Sequence, residues 1–159
     1  MNVKILCVGK IKEKFYRDAI DEYVKRLSKY CSVTVTEVPD EKTSENASDT
    51  EIDIVKDKEG ERLLKLIPDN SYKVVLDLKG TMLTSVELAN KISDVFTYQN
   101  SNISFIIGGS LGLSDAVLKS ADYHLCFSKM TFPHQLMQVI LLEQIYRAFK
   151  INNNETYHK

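Results

Sequence analysis

The sequence predicts one α/β domain over residues 1–159, a mostly parallel β-sheet flanked by helices. Three observations carry that expectation. Short β-branched runs alternate with longer stretches of helical periodicity, the pattern of strand–helix–strand units. The run Ile103–Ile107 is apolar almost throughout, as suits a central strand covered on both faces. At 159 residues the chain fits a single domain able to bury a substantial core.

Val3–Val8 reads as the first strand; it has neither the basic leader nor the small-residue cleavage site of a signal peptide. Lys12–Tyr30 follows as an amphipathic helix with Phe15, Ala19, Tyr23 and Leu27 on one stripe. Val33–Val38 alternates polar and apolar residues and forms a second strand, and Pro39–Ser48 is a polar loop. Ser48-Asp49-Thr50-Glu51 caps a helix reaching Leu66 or Ile67, striped by Ile52, Val55, Glu59, Leu63 and Leu66 and weakened locally by Gly60. After the turn Pro68–Ser71, Lys73–Leu78 is the third strand, ended by Gly80. Thr84 or Ser85 caps a helix over Val86–Thr97 with Leu88, Ala89, Ile92 and Phe96 inward.

Ile103–Ile107 is the fourth strand, Ser114-Asp115 caps a short helix through Ala121, and Tyr123–Phe127 is the fifth strand. Pro133 then opens the last helix, which runs to about Ile151. Leu136, Val139, Ile140, Ile145, Tyr146 and Phe149 spread over more than one of its faces, which predicts cover from a partner subunit. Glu143 within that apolar surface needs a partner, and Arg147 stands one turn on.

Composition narrows the function. Hydrophobic residues make up 43% and charged residues 27%, ordinary for a globular protein. With 21 basic and 22 acidic residues the net charge is −1, which argues mildly against gripping naked nucleic acid through many phosphates. No window approaches the roughly eighteen apolar residues of a membrane span. Cys7, Cys31 and Cys126 are far apart and form no CxxC pair, so a metal cage or redox dithiol is not expected and a reducing cytoplasm is.

In parallel sheets ligands sit beyond the carboxyl ends of strands. Three loops qualify: those after Leu76, Ile107 and Phe127. Gly108-Gly109-Ser110-Leu111-Gly112 lets backbone N–H groups approach a ligand, but its spacing is neither G-x-G-x-x-G nor a Walker loop. Phe127–Phe132 offers hydroxyls from Ser128 and Thr131, a charge from Lys129 and apolar walls from Met130 and Phe132, enough to wrap a flat heterocycle. Singly these are a tight turn and an ordinary loop; together they describe a pocket.

Of the histidines, His124 reads as structural or surface, whereas His134 faces the pocket from the first turn of the last helix. Tyr157-His158-Lys159 combines a stacking ring, an imidazole and a cation, suited to a nucleobase and phosphate. The plain reading of such a polar tail is a frayed end.

The blocks Ile106–Leu113, Phe127–Gln135, Glu143–Ala148 and Tyr157–Lys159, with Val8-Gly9-Lys10 and Asp57-Lys58-Glu59-Gly60, resemble the ribosomal RNA large subunit methyltransferase H family along the whole length. The resemblance implies a SPOUT fold with a C-terminal trefoil knot, working as a homodimer. It implies transfer of a methyl group from S-adenosylmethionine to N3 of a pseudouridine in 23S rRNA, with no metal. Carried over, Leu76, Gly108, Phe127, Ser128, Lys129, Met130, Thr131 and Phe132 hold the cofactor. Tyr157, His158 and Lys159 meet RNA, and His134 and His158 are the candidates to relieve N3 of its proton.

Two departures from the family stand out. Gln138 replaces a usual arginine and Asn153-Asn154 replaces Arg-Gly, both lowering positive charge near the expected RNA face. A near-neutral chain is consistent with an assembled ribosome as substrate. Two rival functions are a non-catalytic RNA-binding or ribosome-assembly module of the same fold and a dinucleotide-dependent oxidoreductase. Against the second, Gly9-Lys10-Ile11-Lys12 after the first strand lacks the glycine spacing.

Overall fold

The structure, a computed structural model, describes residues 1–158. Its elements in order are β1 (Asn2–Val8), α1 (Lys14–Leu27), β2 (Ser32–Val38), α2 (Asp49–Leu64), β3 (Tyr72–Met82), α3 (Ser85–Asp94), β4 (Asn102–Ile107), α4 (Asp115–Ser120), β5 (Tyr123–Cys126) and α5 (His134–Asn152). The five strands form one sheet in the order β2-β1-β4-β3-β5, and every pairing is parallel.

Alternation along the strands feeds two apolar layers. Val3, Ile5, Cys7, Val74, Ile103 and Phe105 pack with α1, α3 and α5. Leu6, Val8, Val75 and Ile106 pack with Leu63 of α2 and Val117 of α4. The expected caps are present: Ser48, Thr84 and Ser114 each accept an N–H from the first turn of α2, α3 and α4, and Glu87 completes a capping box with Thr84.

Four local expectations need correction. The buried stripe of α1 runs through Tyr16, Ile20, Tyr23, Val24 and Leu27, one position on from the expected start, and Phe15 is 66% exposed. Helix α2 stops at Leu64, so Ile67 closes the core and Leu66 is exposed. Gly60 there is an asset for packing, because a Cβ would collide with Ser114 Oγ where α2 meets α4.

Gly80 does not end β3. The strand slips its register against β5 between Leu76 and Thr81 and resumes through Met82. Helix α5 buries Leu141, Leu142, Ile145, Ala148 and Phe149 in the layer shared with α1 and α3, while Leu136, Val139, Ile140 and Tyr146 remain half-buried. Among the described residues no helix is long and apolar enough to cross a membrane, and no cluster of His, Cys, Asp and Glu could hold a metal ion.

Candidate active site

Strands β4, β3 and β5 are neighbours, so the loops at their carboxyl ends lie side by side. They enclose a cavity of about 680 Å³, within the range of small-molecule sites. One wall is the glycine turn, where Gly112 N–H donates to Gly109 O at 3.1 Å and Gly112 takes φ +90°, a left-handed conformation suited to glycine. A Cβ on Gly108 would lie 2.9 Å from the Gly112 carbonyl carbon, so the turn closes only with glycine there.

A second wall is the segment after β5. The Cys126 thiol donates to Ser128 O at 3.1 Å, and Ser128 Oγ accepts the Met130 N–H at 3.0 Å, which bends the chain around the cavity. The third wall is the irregular part of β3. Asp77 Oδ1 accepts the Lys79 N–H and its Oδ2 lies 3.0 Å from His124 Nδ1, which holds the bulge against β5. His124 is thus structural, as its strand setting suggests.

Leu76, Gly108, Phe127, Ser128, Met130, Thr131, Phe132 and His134 all line the cavity. Lys129 is exposed and does not line it. The His134 ring is seated on Gly9, which has φ +96°. Met137, Asp77 and Leu125 also contribute. Asp77 was hidden in the sequence as one polar residue within an apolar strand.

The tail is not frayed. It folds back on the far end of α5, where Glu143 Oε1 accepts from Arg147 Nη2 at 2.7 Å, Arg147 Nε at 3.1 Å and Tyr157 Oη at 3.1 Å. The Tyr157 ring meets Tyr146 edge-on at 5.1 Å and lies under the Arg147 guanidinium. Burial and the nearby Glu143 charge raise the Tyr157 phenol above its ordinary pKa. His158 Nδ1 sits 3.3 Å from Arg147 Nη1. Glu155 pins the approach: hydrogen bonds from Lys150 and Tyr30 pull its carboxyl down to about 2. Lys159 lies outside the described residues.

Arg147, which carries His158, is about 20 Å along the α5 axis from His134 at a rise of about 1.5 Å per residue. The two candidate histidines therefore do not meet within one chain.

Both departures from the family pattern acquire a setting. Gln138 is fully buried on the inner face of α5 with Leu141, Leu142 and Ile145, not on a nucleic-acid face, and neither amide atom has a partner among the described residues. Asn154 takes φ +53° just past α5, and Asn153 Nδ2 donates to Phe149 O at 2.8 Å. Asparagine is the usual substitute for glycine at such a helix end.

A second buried polar group, Glu59, is 5% exposed. Its Oε2 accepts the Glu41 N–H at 3.0 Å, while Oε1 has no partner among the described residues. Desolvation raises its carboxyl pKa above the ordinary value. Its place on the apolar stripe of α2 was the available signal.

A parallel sheet with a ligand-sized cavity spanning three adjacent strand ends defines a small-molecule-binding α/β protein. More particularly, the chain belongs to the SPOUT methyltransferase family, and is a methyltransferase by that membership: residues 1–158 match the family model described as "Predicted SPOUT methyltransferase". Similar curated proteins carry the name ribosomal RNA large subunit methyltransferase H. One from Clostridium botulinum (strain Alaska E43 / Type E3) is 59% identical over 159 residues, covering 100% of both chains. One from Alkaliphilus oremlandii (strain OhILAs) is 60% identical with the same full coverage.

Two solved structures share the fold. A probable methylase family protein from Haemophilus influenzae Rd KW20 has a TM-score of 0.55 at 14% identity, covering 99% of this chain and 70% of that one. The A. aeolicus TrmH/SpoU tRNA modifying enzyme has a TM-score of 0.52 at 12% identity, covering 95% and 77%.

Proposed function

We propose that this protein methylates N3 of a pseudouridine in 23S rRNA, with S-adenosylmethionine as donor and the assembled ribosome in the cytoplasm as substrate. The observation that carries the reading is the cavity walled by Gly108–Gly112 and Phe127–Phe132 in a chain that matches rRNA methyltransferases over its full length.

The residues present fit that cofactor. Leu76, Phe127, Met130 and Phe132 give apolar walls for an adenine, and the backbone of the glycine turn and of Ser128–Thr131 gives the polar contacts. S-adenosylmethionine supplies an electrophilic methyl on a sulfonium, so the chain itself must orient the acceptor and remove one proton from N3. His134 stands in the cavity wall, seated on Gly9, as the candidate for that proton. Tyr157 and His158, with Lys159 beyond them, are the proposed RNA contacts.

The proposal includes a homodimer with the SPOUT knot, in which the tail of one chain completes the pocket of its partner. The separation of His134 from His158 along α5 supports it. Mixing a tail-deleted chain with a Gly108→Trp chain should then restore activity in heterodimers; no rescue would remove the shared site.

The decisive experiment is transfer of labelled methyl from S-adenosylmethionine to ribosomes lacking large-subunit pseudouridine methylation, with the product base mapped. Label at N3 of one pseudouridine is expected. Binding of the cofactor without label would favour a non-catalytic module, and equal labelling of naked rRNA would refute the ribosome as the substrate.

A further inference from the structure

The underside of the glycine turn rests on a carboxylate that does not itself line the cavity. The Glu59 Oε1 atom would be 3.3 Å from a Cβ on Gly109, so the carboxyl and the turn are in close apposition. A buried acceptor without a donor is costly, and a small movement of the turn that offers an N–H would satisfy it. The other oxygen of the same carboxylate already holds the Glu41 amide at 3.0 Å. One turn further along α2, Arg62 donates to Pro39 O at 2.8 Å and pairs with Glu41. Helix α2 therefore grips the loop after β2 through Glu59 and Arg62, and Glu59 also stands against the glycine turn without bonding to it. That loop leaves the same edge of the sheet as the cavity loops, because β2 runs parallel to β1 and β4, and its residues 42–46 are exposed.

We infer that Glu59 is a positioning residue that couples the cofactor cavity to the Pro39–Ala47 loop, so that occupation of the glycine turn tightens the loop. The raised carboxyl pKa of Glu59 agrees with its missing partner. Asp40, Glu41 and Arg62 are the charged groups that act on it. The inference rests on the cofactor reading above.

The test is hydrogen exchange over residues 39–47 of the full chain, with and without S-adenosylmethionine, alongside calorimetric titration of the same cofactor. In the unaltered protein the cofactor should slow exchange at the Glu41 amide. Glu59→Ala should abolish that slowing and weaken cofactor binding about tenfold, the scale of one lost hydrogen bond. Glu59→Gln keeps an acceptor oxygen and should retain the slowing. Should Glu59→Ala not fold, Arg62→Gln at the partly exposed end of the grip should diminish it instead. Binding without slowing in the unaltered protein, undiminished slowing in Glu59→Ala or (where that chain does not fold) in Arg62→Gln, or loss of slowing in Glu59→Gln overturns the coupling alone. Absence of cofactor binding to the unaltered chain overturns the cofactor reading and the coupling with it.

Discussion

The imidazole of His134 fills the space that a side chain on Gly9 would need: a Cβ there would stand 2.8 Å from His134 Nε2. Gly9 follows β1 and His134 opens α5, so the loop after the first strand sets the position of a ring in the cavity wall.

Gly9→Ala should therefore act twice. The left-handed backbone costs a non-glycine residue about 1–2 kcal/mol, read as a lower urea midpoint. Displacing the imidazole by about 1 Å should lower the methyl-transfer rate on the order of a hundredfold. Reduced stability with an unchanged rate would remove His134 from the reaction.

Gln138→Leu should stabilise the protein by about 1–2 kcal/mol, because it replaces a buried amide with no partner by a side chain suited to its neighbours Leu141 and Leu142. Chemical denaturation at one pH suffices. A destabilised variant would mean that the amide is satisfied after all, by a buried water for example.

Glu59→Gln has an effect whose size depends on pH. With its native pKa raised by burial above the ordinary 4.5, this carboxyl binds more protons in the folded chain than in the unfolded one. Its favourable contribution is complete below the ordinary value and is lost as pH rises through the raised one. The variant should match the unaltered protein near the ordinary value and exceed it in stability at neutral pH. Equal stability curves across that interval would show that the carboxyl titrates normally.

Glu143→Ala should release the tail. It removes the acceptor shared by Arg147 and Tyr157, at a cost of about 1–3 kcal/mol for hydrogen bonds to a charged group. Limited proteolysis after Asn154 should accelerate relative to the unaltered chain. Unchanged proteolysis would show that Tyr146 and Arg147 retain Tyr157 without the carboxylate.

The legible part of this molecule is what periodicity and strand ends encode. Runs such as Ile103–Ile107 announce a covered central strand, and the loops after Leu76, Ile107 and Phe127 stand out because parallel strands aim their ends at ligands. What escaped depends on partners distant in sequence. The stripe of α1 cannot be placed to the residue without the sheet beneath it, so Phe15 looked as suitable as Tyr16. Gly80 looked like a strand end because the β5 edge that lets β3 resume is not visible locally. Gln138 looked like a surface position since nothing in its spacing reveals a buried amide. The tail reads as frayed because its anchor, Glu143, is already satisfied by Arg147 one turn on along the helix.

The strand order has a consequence for biogenesis. The cavity draws on segments from Leu76 to Met137, and its second wall follows β5, an edge strand paired only with β3. Contacts between such distant segments close late. As the polypeptide emerges from the ribosome that makes it, a nascent chain arrested before Tyr123 already holds four of the five strands but lacks Phe127–Phe132, and so has no closed cavity.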